Sequence, residues 1–274
     1  MKRAPIRITF AIIALAAAAA LVVGALVHSA AGRKLREAIL AELQPVTLNN
    51  CVLKRFGSAN DGGYLMCENL IEPLDAAYSY GIGSNDDWGC EVSRRYHVPV
   101  HEYDCFDPAR PTCSGGTFVF HNECVGDRTA YRGSRFFDTL ENQIRRNGDT
   151  GRRVIIKMDI EGAEWDSLLA APDELLAAFP QITMEMHGFN DPKILEVIRK
   201  LKRNFYLVNL HFNNWSCTRK AAPLPAWAYQ THWVNKRIGV PDPAAPVPAP
   251  MSPLNAPDSP TWPDCQLRTP PSKP

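Results

Sequence analysis

Short apolar runs along the middle of the chain, each ending at glycine or acidic residues, predict the strands of a buried sheet. The clearest is Val-Ile-Ile-Lys-Met at 154–158, which ends at Asp159 and gives way to helical spacing from Glu164. Continuous apolar runs of this kind are typical of parallel strands that are covered on both faces. Comparable patterns predict further strands, the last of them antiparallel, at 76–80, 99–106, 117–120, 181–188, 205–210 and 226–236.

Between these strands the apolar spacing changes to that of helices. Amphipathic stretches predict helices at 33–43, 91–96, 136–146 and 172–178. Asp191 has the position of an N-cap for a longer helix. An Asp-Gly-Gly turn at 61–63 predicts a hairpin, and Cys51 and Cys67 stand where they could join its ends. The pattern predicts an α/β fold with a mostly parallel seven-stranded sheet, a final antiparallel strand and helices on both faces.

The ends of the chain differ in composition from the middle. Residues 1–7 are basic, and 8–28 form an uncharged apolar run that is long enough to span a bilayer. We expect a transmembrane signal anchor there, with a cleaved signal peptide as the alternative. A stalk at 29–50, a folded domain at 51–238 and a proline-rich tail at 239–274 then follow.

Charge and cysteine content narrow the setting in which the protein works. The 274 residues carry a net charge of +1, which gives no indication of a nucleic-acid partner. None of the eight cysteines has the C-x-x-C spacing of a zinc or redox site, and their even number fits disulfides, with free buried thiols as the alternative. We therefore expect a single-pass membrane protein with a lumenal or extracytoplasmic domain, or a secreted protein if the leader is cleaved.

The ends of the first two predicted strands carry a candidate cofactor site. Gly81 and Gly83 lie between a strand and a helix, where glycines allow the backbone to approach a ligand. Asp86 occupies the place of the third glycine of a dinucleotide fingerprint, so the loop suits a cofactor with a cationic end better than NAD. Asp86 as a simple N-cap is the alternative. Asp107, with Asp104 in reserve, is placed to accept the hydroxyls of a ribose.

The ends of the fourth and fifth strands add groups that could carry chemistry. Asp159 and Glu161 follow the fourth strand, although capping of the next helix would also explain acids there. His187 ends the fifth strand, and His211 ends the sixth. A histidine near its ordinary pKa suits proton removal, and we prefer His187 to His211 because it lies beside Asp159. A hydrogen-bonded structural histidine is the alternative for either.

One motif at the fourth strand resembles a known signature: Lys157-x-Asp159-x-Glu161-Gly162-x-Glu164-Trp165. It is similar to the signature of the FkbM-like family of S-adenosylmethionine-dependent methyltransferases. Gly81-x-Gly83 and Phe106-Asp107-Pro108 support the resemblance, which covers about 54–236, although the glycine loop differs from the family's commoner version. The resemblance implies a Rossmann-like class I methyltransferase fold, S-adenosylmethionine as the cofactor and an oxygen atom as a frequent acceptor.

The resemblance also suggests roles for individual residues. Cofactor binding falls to Gly81, Gly83, Asp86, Asp107, Asn122, Glu123 and Asp159, with Asn122 and Glu123 near the adenine. His187 and Asp159 are the expected catalytic residues, and Glu161, His211 and Asn214 are expected to face the acceptor. The Asp-Gly-Gly-Tyr stretch at 61–64 resembles a segment that lies over the site in such proteins.

The acceptor and the metal content are open to alternatives. We expect a hydroxyl of a glycan, glycolipid or small molecule as acceptor, because the domain is expected to be lumenal. Asp159, Glu161 and His187 could bind a divalent metal by ligand type, but acids beside a sulfonium need no metal, so none is expected. The sequon at Asn214 is expected to be unoccupied. A non-catalytic disulfide-bonded binding domain and an NAD-linked oxidoreductase are the alternative functions.

Overall fold

The computed structural model of the protein describes residues 29–245, 252 and 254–265. The predicted basic segment at 1–7 and the predicted anchor at 8–28 lie outside the described residues. Among the helices of the described part, none is long and apolar enough to cross a membrane. In chain order the elements are α1 (Ala30–Glu42), β1 (Leu53–Gly57), β2 (Gly63–Cys67), β3 (Ala76–Tyr80), α2 (Asp87–Tyr96), β4 (Pro99–Tyr103), β5 (Thr117–His121), β6 (Cys124–Gly126), β7 (Ala130–Arg132), β8 (Arg135–Thr139), α3 (Leu140–Arg146), β9 (Val154–Met158), α4 (Glu164–Ala170), α5 (Asp173–Ala178), β10 (Gln181–His187), α6 (Pro192–Asn204), β11 (Phe205–Phe212) and β12 (Ala228–Asn235).

A seven-stranded sheet forms the centre of the fold, in the order β11-β12-β10-β9-β3-β4-β5. Strand β12 runs antiparallel to both of its neighbours, and the pairs from β10 to β5 are parallel. The predicted mostly parallel sheet with a final antiparallel strand is therefore confirmed. Together with the alternating helices, this sheet fits a Rossmann-like fold.

Apolar side chains cover both faces of the sheet, because successive residues of a strand point to opposite sides. Tyr78 and Ile156 belong to a core that also holds side chains of α1, α4 and α6. Ala77 and Ile155, their neighbours in sequence, pack with Trp88 of α2 in a second core. The prediction of helices on both faces is confirmed.

Strands β1 and β2 form the predicted hairpin, with Gly57 paired to Gly63 across the Asp-Gly-Gly turn. The Cys51–Cys67 disulfide joins its ends. All eight cysteines are paired, so the alternative of free thiols is wrong. Between β4 and β5 there is no helix, and the bonds Cys90–Cys113 and Cys105–Cys124 instead fix this irregular segment to its surroundings.

The prediction of one helix over 136–146 is wrong in its first half. Residues Arg135–Thr139 form β8, which pairs with β6 and β7 in a small three-stranded sheet. Two adjacent aromatic residues, Phe136 and Phe137, favour a strand. The helix α3 begins only after Thr139, whose side chain accepts a hydrogen bond from the backbone of Asn142.

The segments on either side of the predicted domain also pack on the sheet assembly. Helix α1 lies within the 29–50 segment that we expected to be a stalk, and its Ile39 is fully buried in the main core. At the other end, the Cys217–Cys265 disulfide connects the proline-rich segment to the loop after β11. Asp258 and Ser259 of that segment are buried. The folded unit therefore includes α1 and part of the 239–274 segment.

Candidate functional site

A cavity of about 950 Å³ lies at the carboxyl ends of β3, β4 and β9. Strand β3 lies between β4 and β9 in the sheet, so the strand order along the chain reverses direction at β3. In open α/β sheets ligands bind at such a switch point. Seven residues from the sequence prediction line the cavity: Gly81, Gly83, Asp86, Asp107, Glu123, Asp159 and Glu161.

The loop after β3 is held against the end of β9. Gly81 has a φ of +71° and Gly83 a φ of +55°, both in the left-handed region that favours glycine. The Gly81 N–H donates to the Tyr103 carbonyl at 2.9 Å. From the other side, the buried ammonium group of Lys157 donates to the Gly81 carbonyl at 2.7 Å. The glycine loop is therefore pre-shaped by backbone and side-chain hydrogen bonds.

Asp104 and Asp107 have different roles at the end of β4. The carboxylate of Asp104 accepts three backbone N–H groups, those of Gly83 at 2.9 Å, Phe106 at 2.8 Å and Asp107 at 2.9 Å. Asp104 thus fixes the loop after β3 and the loop after β4 relative to each other. Asp107 accepts one backbone N–H, from Ala109 at 2.8 Å, through Oδ1, and it lines the cavity. Its carboxylate has more capacity left to accept hydrogen bonds from a ligand, in keeping with our choice of Asp107.

Asp86 acts as the N-cap of α2, which was the alternative considered for it. Its Oδ1 accepts the Gly89 N–H at 2.9 Å, and its side chain is buried in the floor of the cavity. Burial raises the pKa of Asp86. Glu102, on β4, is fully buried beside it, and burial together with the charge of Asp86 raises the pKa of Glu102 to about 8. Two acidic groups therefore lie close together beneath the glycine loop.

The proposed adenine region is part polar and part apolar. Glu123 lines the cavity, where Arg146 holds its carboxylate in an ion pair. Val125 and Phe137 supply an apolar wall next to it. Asn122, which we expected near the base, is exposed and does not line the cavity. It directly follows β5, and its neighbour Glu123 lines the cavity instead.

A second polar cluster lies where β9 and β10 end. The imidazole of His187 is 6% exposed, and its Nδ1 lies 2.8 Å from Glu164 Oε1. Its Nε2 faces three carboxylates: Asp159 at 3.7 Å, Glu161 at 3.6 Å and Glu185 at 3.8 Å. The structure therefore brings His187, Asp159 and Glu161 together as predicted. Asp159 and Glu161 line the cavity, and His187 lies behind its wall.

The surroundings of His187 change its acid–base character. Burial by itself lowers the pKa of His187, but the hydrogen bond to Glu164 and the surrounding carboxylate charges outweigh it and raise the pKa to about 9. The expectation of an ordinary histidine pKa is therefore wrong for this residue. Burial, and then the charge of Asp159, raise the pKa of the neighbouring Glu185.

His211 and Asn214 lie outside the cavity, under the C-terminal segment. His211 Nε2 is 3.3 Å from Asp264 Oδ1. The Asn214 amide donates to the carbonyls of Ser259 and Trp262, and its oxygen accepts the Ser259 N–H at 2.8 Å. These contacts bury both side chains and hold 254–265 against the end of β11. The sequence around the end of β11 did not predict that the C-terminal segment covers these residues. The amide of Asn214 is buried and hydrogen-bonded, so this fold leaves no room for a glycan on it.

Two contacts at the cavity were not predicted from the sequence. The Tyr64 hydroxyl donates to Asp159 Oδ2 at 3.0 Å. Lys157 lines the cavity and holds the glycine loop. The available signals were a tyrosine directly after the Asp-Gly-Gly turn and a lysine inside an otherwise apolar strand. Ser58, Asp61 and Gly62 of the hairpin also line the cavity, as expected for a segment over the site.

No protein-family model, no curated protein and no solved structure matches the chain. Its fold and the geometry of the cavity are therefore the observations from which a function can be proposed.

Proposed function

We propose that the protein is an S-adenosylmethionine-dependent methyltransferase with a class I fold, acting on a hydroxyl of a glycan, glycolipid or small molecule. One observation carries the proposal: a glycine loop, the carboxylate of Asp107 and the acidic end of β9 share one cavity at the switch point of a Rossmann-like sheet. The resemblance of 157–165 to the FkbM-like signature supports the same reading.

The residues present fit the chemical parts of this cofactor. Asp107 can accept two ribose hydroxyls, and the wall at Val125 and Phe137 suits an adenine ring. The glycine loop leaves backbone groups accessible to the aminoacyl end. Asp159 supplies negative charge where a sulfonium would lie. Each part of the cofactor is assigned to these residues by their chemical type, and each assignment can be tested by substitution.

The chain's own part in the reaction is alignment and proton removal. When bound, S-adenosylmethionine supplies an electrophilic methyl group on a good leaving group. Alignment of acceptor and donor in one cavity lowers the entropic part of the barrier. Asp159 faces the cavity and is oriented by Tyr64 and His187, so we place it as the group that takes the hydroxyl proton, with His187 behind it. The acceptor oxygen gains the methyl group as the carbon–sulfur bond breaks.

The surface next to His187 favours an acceptor with an apolar face. The ring of Trp227 lies 6.0 Å from the His187 ring and the residue is 41% exposed. An exposed aromatic ring of this kind suits the apolar face of a sugar. The four disulfides fit an oxidising, extracytoplasmic compartment.

The alternative of an NAD-linked enzyme is less well supported. A dinucleotide places its pyrophosphate at the N-terminus of the helix after the glycine loop, where backbone N–H groups bind it. In this protein Asp86 caps that N-terminus and Asp87 follows in the first turn. Two acidic residues would repel a pyrophosphate, whereas they tolerate a cationic cofactor.

Isothermal titration calorimetry of the purified full chain with S-adenosylmethionine tests the proposal. We expect one site on the wild type and an affinity at least tenfold lower in Asp107→Asn, because hydrogen bonds from the ribose to a charged acceptor are lost. Asp173→Asn is the matched control, since Asp173 is exposed and pairs with Arg203 on α6. The proposal fails if the wild type gives no heat, or if NAD binds in place of S-adenosylmethionine.

A further inference from the structure

The Nε2 atom of His187 points into a gap between carboxylates. It makes no hydrogen bond to a described residue, because Asp159, Glu161 and Glu185 all lie 3.6–3.8 Å away. Those distances exceed the usual range for a hydrogen bond. An imidazole nitrogen of a buried histidine that faces three carboxylate oxygen atoms at this separation is arranged as the ligands of a metal ion are.

We propose that the protein binds a divalent transition-metal ion, of the Mn²⁺ or Zn²⁺ class, through Asp159, Glu161 and His187, with Glu185 as a nearby fourth donor. Ligand atoms of the first three lie within 4.8 Å of one another. Around one ion with bonds of about 2.1 Å, neighbouring ligand atoms are roughly 3.0–3.4 Å apart. Small side-chain movements close the difference, and Glu161 is free to make them because its side chain is 79% exposed.

Hydrogen bonds from outside orient each buried ligand. Glu164 Oε1 lies 2.8 Å from His187 Nδ1, so Nδ1 keeps the proton that this carboxylate accepts. Nε2 faces the gap, and a metal ion that binds there displaces the proton from Nε2. Carboxylate–histidine pairs of this kind support metal-binding histidines in many proteins. Tyr64 donates to Asp159, and Asn213 donates to Glu185 at 2.8 Å. The inner groups are thus positioned by a second layer of partners.

The charge of the cluster calls for a cation. Four acidic residues, Asp159, Glu161, Glu164 and Glu185, surround one histidine, and none of them pairs with a lysine or arginine that the structure describes. A protonated His187 balances one of these charges, whereas a divalent ion balances two. A donor set with one imidazole and several carboxylates suits Mn²⁺ or Zn²⁺ better than Mg²⁺ or Ca²⁺, which prefer oxygen alone.

The position of this site suggests what the ion does. Asp159 and Glu161 line the cavity, so an ion between them would lie at its wall, beside the proposed methyl donor. There it would hold the acceptor hydroxyl and lower the pKa of that hydroxyl, so that its proton passes to water. With the ion bound, Asp159 would serve as its ligand instead of taking the proton itself. This role rests on the proposed function, whereas binding of the ion does not.

The test uses the purified full chain after removal of metal with a chelator. Titration with Mn²⁺, followed by electron paramagnetic resonance, and with Zn²⁺, followed by calorimetry, should show one site per chain. Glu161→Gln should weaken binding at least tenfold without loss of folding, because the side chain is exposed. Glu196→Gln, on the exposed side of α6, is the matched control and should bind as the wild type does.

A second measurement identifies the atoms. Crystals soaked in Mn²⁺ should give an anomalous peak within about 2.3 Å of His187 Nε2. Absence of binding, binding that Glu161→Gln leaves unchanged, or a peak at another place would each overturn the proposal. S-adenosylmethionine binding is measured separately with the chelator present. Loss of that binding alone would refute the proposed function and leave the metal site standing, and the reverse result would refute only the metal site.

Discussion

Replacing Gly81 with alanine tests how closely the glycine loop is held against the end of β9. An alanine Cβ at this position would lie 1.6 Å from the Asp159 carbonyl oxygen and 2.7 Å from the carbonyl carbon. Both contacts are with backbone, which cannot rotate away. The strands themselves are tied at this point, since the Asp159 N–H donates to the Tyr80 carbonyl at 3.0 Å. The substitution must therefore push β3 and β9 apart where they form the cavity.

The expected cost follows from two effects. A left-handed φ of +71° costs an alanine about 1–2 kcal/mol, and overpacking against a fixed neighbour adds about 1–3 kcal/mol. We expect Gly81→Ala to lower the free energy of unfolding by about 2–5 kcal/mol. Gly83→Ala is the matched control, because Gly83 has a similar φ of +55° but no atom within 4 Å of its added Cβ. Its cost should stay near 1 kcal/mol, since the lower entropy of the unfolded chain offsets part of the strain.

Urea unfolding of the purified full chain, followed by tryptophan fluorescence, measures both values. Equal destabilisation by the two substitutions would refute the reasoning, because it would mean that the close approach to Asp159 is absent. The variants Gly81→Ala and Gly83→Ala also distinguish an effect on stability from an effect on cofactor binding. Gly83→Ala should fold well yet bind S-adenosylmethionine more weakly, since its methyl group occupies the space that lies open to the cavity.

Three further predictions concern groups around the cavity and the chain ends. Lys157→Met should lower stability by about 1–3 kcal/mol in urea unfolding, because the partly buried Gly81 carbonyl loses its charged donor. The pKa of Glu102 is raised from 4.5 to about 8 in the folded protein, so between those pH values the unfolded state loses the proton first and stability falls as pH rises. The free energy of unfolding of Glu102→Gln should therefore match that of the wild type near pH 4.5. Near pH 7.5 it should exceed the wild-type value by up to about 4 kcal/mol. An equal gain at both pH values would contradict this. Replacing both Cys217 and Cys265 with serine removes the disulfide that closes a loop of 48 residues, so the free energy of unfolding should fall by about 4 kcal/mol. Limited proteolysis should then cut first within 254–265. Cleavage elsewhere first would contradict this prediction.

Much of the sheet was predictable because its signals are local. The apolar runs at 76–80 and 154–158 and the alternation at 181–188 each predict a strand without reference to the rest of the chain, and all three are confirmed. The predicted helix at 136–146 failed for the opposite reason. Its first residues pair with β6 and β7, and that partnership outweighs their helical spacing.

The candidate site was predictable only as far as strand ends define it. Residues directly after β3, β4 and β9 meet in one cavity because parallel strands share their carboxyl edge. His211 and Asn214 also lie at the end of a strand, but a segment about 50 residues away in sequence covers them, and no local pattern predicts that contact. The pKa of His187 depends likewise on Glu164, which lies 23 residues earlier and reaches it only in the folded chain.

The central claim is that a Rossmann-like cavity with acidic strand ends binds S-adenosylmethionine. A crystal structure of the full chain with S-adenosylhomocysteine, the product of the proposed reaction, tests this most directly. We predict that the ribose hydroxyls lie within hydrogen-bonding distance of Asp107 and that the sulfur lies next to Asp159. A ligand bound at another place, or a cavity that stays empty at saturating concentration while the crystals remain intact, would contradict the claim.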